Sequence, residues 1–240
     1  SPAAFVILKK TKEDETFMSS YTGFFDVIGP NMIGPSSSHT AGAASIALMA
    51  KQLFHEEIVQ VDFTLYGSFA NTYRGHGTDR ALLGGILGFT TDDIRIRDAF
   101  THAQNRGLKY SFTEDHTATD LHPNTVDIVM HNGKGRTQFV RGVSIGGGRM
   151  KIVQLNQVEV DFTGEYSTLI IKQADKPGVV AHIAGCLAQQ QVNIAFMRLY
   201  REAKGETAYT IIESDQHIPS EILDSINQHE NIYNSLVIQV

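Results

Sequence analysis

The spacing of apolar residues changes character along the chain, and the change predicts two domains. Over Ala41–Phe54 the apolar positions Ile46, Leu48, Met49, Leu53 and Phe54 recur at helical spacing, so a helix is expected there. Ile58–Tyr66 alternates apolar and polar residues and reads as a strand ending at Gly67. Thr78–Leu87 reads as a second helix. Leu121–Met130 and Thr137–Ile145 carry β-branched runs and read as strands, the second broken by Gly146-Gly147-Gly148. Lys151–Phe162 alternates again and leads out of this first domain.

After Gly164 the rhythm is regular. A strand over Ser167–Lys172 meets the turn Asp175-Lys176-Pro177-Gly178, and a helix follows over Val179–Gln190 with Val180, Ile183, Ala184 and Leu187 on one face. Strands over Val192–Arg201 and Glu206–Glu213, a helix over Ser220–Gln228 and a strand over Ile232–Val240 complete a β-α-β-β-α-β order, the ferredoxin-like arrangement. The expected fold class is α/β (α+β). The expected organisation is a leader over 1–19, a first domain over 20–160 and a ferredoxin-like domain over 165–240. The leader is dense in charge (Lys9 to Glu15), offers no core face, and is assigned no function.

Composition narrows the function classes. The chain is 42% hydrophobic and 19% charged, enough apolar side chain for a core and too little charge for disorder. Its net charge of −6, with no Lys/Arg cluster, argues against a nucleic-acid partner. No apolar run reaches membrane-spanning length and no signal-peptide pattern opens the chain, so a cytoplasmic location is expected. The one cysteine, Cys186, excludes an internal disulfide and a self-contained iron–sulfur cluster, which takes about four thiolates. Cys186 lies on a helix face beside Ile183 and Leu187 and reads as a buried structural thiol.

Three polar clusters carry the candidate chemistry. In Ile28–Gly42 two Gly-Pro pairs precede Ser36-Ser37-Ser38-His39-Thr40, directly before a helix. One hydroxyl suffices to cap a helix. Four hydroxyls and an imidazole, with the free N–H groups of a first turn, make a donor pocket suited to a carboxylate. The alternatives are a heavily capped surface helix, or a phosphate site lacking the Walker spacing. The second cluster, Gly67–Arg80, sets His76 between glycines. Thr78 or Asp79 is placed to cap the next helix. Arg74 and Arg80 either hold a carboxylate or pair with Asp79. In the third, His122-Pro123-Asn124-Thr125, His122 either faces the same pocket or is a turn histidine.

These residues support a resemblance to two known families. The C-terminal third, with Asp175-Lys176-Pro177-Gly178-Val179-Val180 and Val192-Asn193-Ile194, resembles the ACT domain. That resemblance implies an amino-acid effector site at Asp175, Gly178, Val179 and Asn193, and self-association through paired copies. Gly34-Pro35-Ser36-Ser37-Ser38-His39-Thr40 and Gly75-His76-Gly77-Thr78-Asp79-Arg80 resemble the β-type chain of bacterial iron–sulfur L-serine dehydratases, over residues 20–240. The large domain of that family is similar to the allosteric substrate-binding domain of some phosphoglycerate dehydrogenases.

The dehydratase resemblance implies conversion of L-serine to pyruvate and ammonia. It further implies a [4Fe-4S] cluster with an open iron position as the Lewis acid, ligated by an α-type partner chain. It implies His39 and His76 as catalytic residues, and Ser36, Ser37, Ser38, Thr40 and Asn124 as contacts to L-serine. No metal ligand is expected in this chain. Two other readings remain open from the sequence. One is a purely regulatory serine-binding subunit. The other is a metal hydrolase using His39, His76, Asp79 and His122, although no close-spaced ligand pair is present.

Overall fold

A computed structural model describes residues 32–239. The leader expected over 1–19, the start of the first domain and Gly29-Pro30-Asn31 lie outside the described residues.

A wide π turn over Ser37–Ala41 leads into helix α1 (Gly42–Phe54). Strand β1 (Gln60–Tyr66) is followed by three helices, α2 (Gly67–His76), α3 (Thr78–Leu87) and α4 (Ala99–Asn105), the last entered through a 3₁₀ turn over Ile94–Asp98. Strand β2 (Lys109–Asp115) runs parallel to β1, so the three helices form the crossover that a parallel pair requires. Strands β3 (Thr125–His131), β4 (Thr137–Gly146), β5 (Arg149–Leu155) and β6 (Val158–Phe162) continue as antiparallel neighbours, and the sheet order is β2-β1-β3-β4-β5-β6.

The expected alternation holds in β1, where Val61, Phe63 and Leu65 are buried and the residues between them half-buried. Three differences from the sequence reading have physical causes. Lys109–Asp115 is polar because β2 is a solvent-facing edge, with only Phe112 stacking inward on Phe63 at 4.7 Å. Gly67–His76 is a helix despite its polar, glycine-bearing sequence, and its apolar face is carried by Phe69, Ala70 and Tyr73 alone. Lys151–Phe162 is two strands, because Asn156 takes a left-handed turn (φ 51°) and folds β6 back on β5.

Helix α1 lies between α3 and the sheet, and small residues set both distances. A Cβ at Gly85 would come within 2.5 Å of the Ala44 carbonyl and 2.7 Å of the Leu48 amide. A Cβ at Gly142 of β4 would overlap Ile46. At the end of β1, Asp127 accepts a bidentate pair from Arg141 (2.6 and 2.7 Å) and a bond from the Tyr66 hydroxyl (2.8 Å). Burial first, and that carboxylate second, push the Tyr66 phenol up to about 12.

The second sheet contains β7 (Ser167–Ala174), β8 (Phe196–Arg201), β9 (Thr207–Ser214) and β10 (Ile232–Ile238) in the order β10-β7-β9-β8. Helices α5 (Val179–Gln189) and α6 (Ile222–Ile226) complete the expected β-α-β-β-α-β order. Alternation along these strands serves two cores. Leu169, Ile171 and Ile212 join Ile183, Leu187 and Ile222 under the helices, while Ile170, Tyr209, Ile211 and Ile238 join the first core. Polar contacts bind the same face to the β5–β6 hairpin. The Tyr200 hydroxyl accepts from the Asp161 amide and donates to its carbonyl, each at 3.1 Å, and Asn156 Nδ2 donates to the Tyr209 hydroxyl at 3.0 Å. Among the described residues no helix is long and apolar enough to cross a membrane.

The tight α1–α3 crossing yields a paired prediction. Gly85→Ala will destabilise the protein by about 1–3 kcal/mol in urea unfolding, since overpacking against rigid backbone outweighs the gain in helix propensity. Gly185→Ala, on the exposed side of α5 with open space around it, will raise stability by about 0.5–1 kcal/mol in the same measurement. Equal effects at the two positions would contradict this packing account.

Candidate functional site

The first cluster folds into the π turn, and the reason is local. Ser36 is extended (φ −142°, ψ 127°), and its side-chain oxygen accepts from the His39 amide at 3.1 Å. The Ser36 carbonyl accepts from Thr40 at 2.9 Å and from Ala41 at 3.3 Å, and the Ser37 carbonyl accepts from Gly42; the bonds from Ala41 and Gly42 span one residue more than in an α-helix. Thr40 anchors the widened turn. It is buried, its hydroxyl donates to the His76 carbonyl at 3.0 Å, and it fills the space that a side chain at Gly34 would need.

The turn aims His39 at the start of α2. Its Nδ1 lies 3.0 Å from Ser38 Oγ and 3.5 Å from Ser36 Oγ, and its Nε2 lies 2.8 Å from Ser68 Oγ. Its ring meets Phe69 edge-on at 5.4 Å and His76 at 4.9 Å. Burial first and the nearby His76 ring second lower the His39 pKa from its ordinary value of 6.5. Ser68 reaches this place because Gly67 takes φ +51° at the strand-to-helix turn, against Pro123, where a Cβ would come within 2.7 Å of backbone.

Four buried polar atoms in this region have no hydrogen-bond partner among the described residues: His76 Nδ1, Thr78 Oγ1, Asn124 Oδ1 and Ser144 Oγ. Leaving one such group unmatched costs about 1–3 kcal/mol, so four in one region single it out as a candidate site. Ser144 and Asn124 are joined through the backbone at 3.0 Å. Ser144 Oγ fills the space that a side chain at Gly42 would take. A cleft of about 650 Å³ opens on the His76 flank and is lined by Asn71, Arg74, Glu114 and His116.

The structure therefore brings together Ser36, Ser38, His39, Thr40 and His76, with Asn124 beside Ser144. Ser37 belongs to the same turn and uses its carbonyl to hold Gly42. His122 is exposed, and its Nδ1 accepts from the Asn124 amide at 3.1 Å, which makes it a turn histidine. Among the described residues neither Arg74 nor Arg80 forms an ion pair. Arg74 donates to the Tyr73 hydroxyl at 3.0 Å, and Asp79 accepts from the Arg80 amide at 2.8 Å. The helix after His76 is capped by Gly77, with no side-chain cap from Thr78 or Asp79. Among the described residues no group of three or more His, Cys, Asp or Glu is placed to hold a metal ion.

Sequence reasoning did not single out Ser68 or Ser144. Ser68 had one available signal, its place directly after the glycine that ends β1. Ser144 had none, since it sits inside a β-branched run.

In the second sheet, Asp175 and Gly178 line a cleft of about 410 Å³ with Lys176, Arg201 and Lys204. The Asp175 carboxylate is engaged by Arg201 Nε at 3.0 Å and by the Gly205 amide at 2.9 Å. Val179 is fully buried in the second core, and Asn193 lies outside the cleft, its amide donating to Gln216.

Comparison with known proteins matches these regions to two families. Residues 24–157 match the model of the serine dehydratase beta chain, and residues 167–231 match the ACT domain. The L-serine dehydratase beta chain of Peptoniphilus asaccharolyticus is 40% identical over 223 residues, covering 93% of this chain and 100% of that protein. A probable L-serine dehydratase beta chain of Bacillus subtilis is 43% identical over 213 residues, 88% of this chain and 96% of the relative. A D-3-phosphoglycerate dehydrogenase of Methanocaldococcus jannaschii is 26% identical over 162 residues, 67% of this chain but 30% of that enzyme. The chain therefore belongs to the serine dehydratase beta chain family and ends in an ACT domain.

Proposed function

We propose that this chain is the β-type half of a two-chain, iron–sulfur L-serine dehydratase, acting on L-serine together with an α-type chain to give pyruvate and ammonia. One observation carries the reading: His39 is held by hydroxyls at both ring nitrogens, 4.9 Å from a second histidine whose Nδ1 is buried and unmatched among the described residues. Taking the α-proton of serine requires a neutral, positioned base. The lowered His39 pKa supplies the neutral form, and the hydroxyls supply the position.

Ser36, Ser37, Ser38, Thr40 and Asn124 surround the place where the serine carboxylate docks, His39 is the group that takes the α-proton, and His76 is the second catalytic histidine beside it. Loss of the hydroxyl as water then leaves an aminoacrylate, and addition of one water releases pyruvate and ammonia. This chain does not fit a [4Fe-4S] cluster. Its one cysteine, Cys186, is buried in the second core, where burial raises its pKa and keeps it a thiol. The cluster and its chemistry therefore belong to the α-type chain.

The two sheets are read as two domains, over 20–160 and 165–240, in a cytoplasmic enzyme. The cleft at Asp175 and Gly178 is the effector site; Val179, buried in the second core, and Asn193, outside the cleft, do not line it. The exposed β8 edge, with Phe196 and Leu199, is where two ACT domains pair.

A second reading has its own support. The relative from M. jannaschii is named for a different reaction yet matches two thirds of this chain, which suits a serine-binding role without catalysis. Anaerobic co-purification with the α-type chain and a pyruvate assay separate the two readings. His39→Ala is expected to lower kcat by about 10²–10⁴-fold. Near-normal kcat with a raised KM would instead support the binding role.

The pH dependence follows from the lowered pKa. The acid limb of kcat/KM will lie below 6.5, because neutral His39 persists to lower pH. The same shift is linked to stability: the native state binds fewer protons than the unfolded chain. This contribution is complete above the unfolded value of 6.5 and is lost as pH falls through the lowered native value. A ¹H–¹⁵N titration of His39 giving a midpoint above 6.5 would contradict both statements.

A further inference from the structure

Both nitrogens of His39 face hydroxyls, and the proton count along that chain assigns a role to Ser68. A serine hydroxyl has one proton to give and two lone pairs to receive with. Ser36 Oγ spends one lone pair on the His39 amide. The remaining contacts run Ser36 Oγ to Ser38 Oγ (3.3 Å), Ser38 Oγ to His39 Nδ1 (3.0 Å, with Ser36 Oγ farther from the same nitrogen at 3.5 Å), and His39 Nε2 to Ser68 Oγ (2.8 Å). Two directions satisfy this chain. In one, Nδ1 carries the proton, Ser68 donates to Nε2, and the unspent proton is left at Ser36, behind the imidazole. In the other, Ser36 donates to Ser38, Ser38 donates to Nδ1, and Nε2–H donates to Ser68.

The second direction places the imidazole proton on Nε2, the intrinsically favoured tautomer of a neutral imidazole. It also leaves the Ser68 proton without an acceptor among the described residues. Ser68 sits on the first turn of α2, half-buried, eight residues before the His76 that ends the same helix. Its backbone is fixed independently, because its carbonyl accepts from Thr72 Oγ1 at 2.7 Å and the next amide donates to Pro123 at 3.2 Å. The hydroxyl is thus held on a rigid support and bonded to the imidazole, with one proton to offer a ligand.

We propose that Ser68 is a positioning residue: it fixes the tautomer and ring orientation of His39 by accepting from Nε2, which leaves the lone pair on Nδ1 to take the α-proton in exchange for its bond from Ser38, and it presents its own hydroxyl proton to the carboxylate of the bound amino acid. The catalytic side of this inference rests on the reading of His39 given above; the tautomer side does not.

The test uses the full chain with ¹⁵N-labelled histidine, and its complex with the α-type chain. Long-range ¹H–¹⁵N correlation should place the neutral His39 proton on Nε2. In Ser68→Ala the signal should move to a mixture of the two tautomers, and in Ser68→Thr, which keeps the hydroxyl, it should return to the Nε2–H form. In the assembled enzyme Ser68→Ala should lower kcat/KM for L-serine by about 10–100-fold and move the acid limb of its pH profile, with Ser68→Thr restoring the limb. An Nδ1–H tautomer in the parent chain, or an unchanged tautomer and pH profile in Ser68→Ala, would overturn the proposal. If His39→Ala leaves turnover near normal while Ser68→Ala still alters the tautomer, the catalytic reading of His39 fails and the positioning contact stands. If His39→Ala is inactive and the Ser68→Ala tautomer is unchanged, the reverse holds.

Discussion

Thr40 is the hinge of the arrangement. It is buried, its side chain occupies the space left by Gly34, and its hydroxyl holds the last carbonyl of the helix that carries His76. That one bond joins two histidine-bearing segments that are 36 residues apart in sequence. The widened turn, the approach of His39 to Ser68 and the 4.9 Å spacing of the two rings all presuppose it. A capped helix alone would need only Ser36. The additional polar residues make sense as a site held in place from behind.

The fold was legible where spacing and punctuation agreed. Helix α3 has the ends that its sequence predicts, and the β-α-β-β-α-β order was complete, because in both regions glycines and turns fall where the apolar period stops. It was not legible where a segment is stabilised mainly by its neighbours. Strand β2 has only Phe112 to show, since its hydrogen bonds to β1 hold a polar edge in place. Helix α2 reads as a loop because its apolar side is three residues wide and its ends are shaped by Gly67 and Gly77 at positive φ. Single-sequence patterns contain no term for such tertiary support.

The site divides in the same way. Ser36 to Thr40 stand in one run, so composition alone exposed them. His76 was legible through its flanking glycines. Ser144 and Ser68 come from distant strands and helix starts, and only the folded backbone places them beside Gly42 and His39. His122 and the arginines were visible as candidates, but a turn bond and a neighbouring tyrosine account for His122 and Arg74.

Strand β7 has a consequence for the molecule as a whole. Leu169 and Ile171 belong to one hydrophobic core, and Ile170 between them belongs to the other. A slip of one residue would expel side chains from both cores at once, so neither can tolerate an error in register that the other would forgive. The strand is shared between the ACT sheet and the core of the first domain. Strand β7 therefore couples the packing of the two cores.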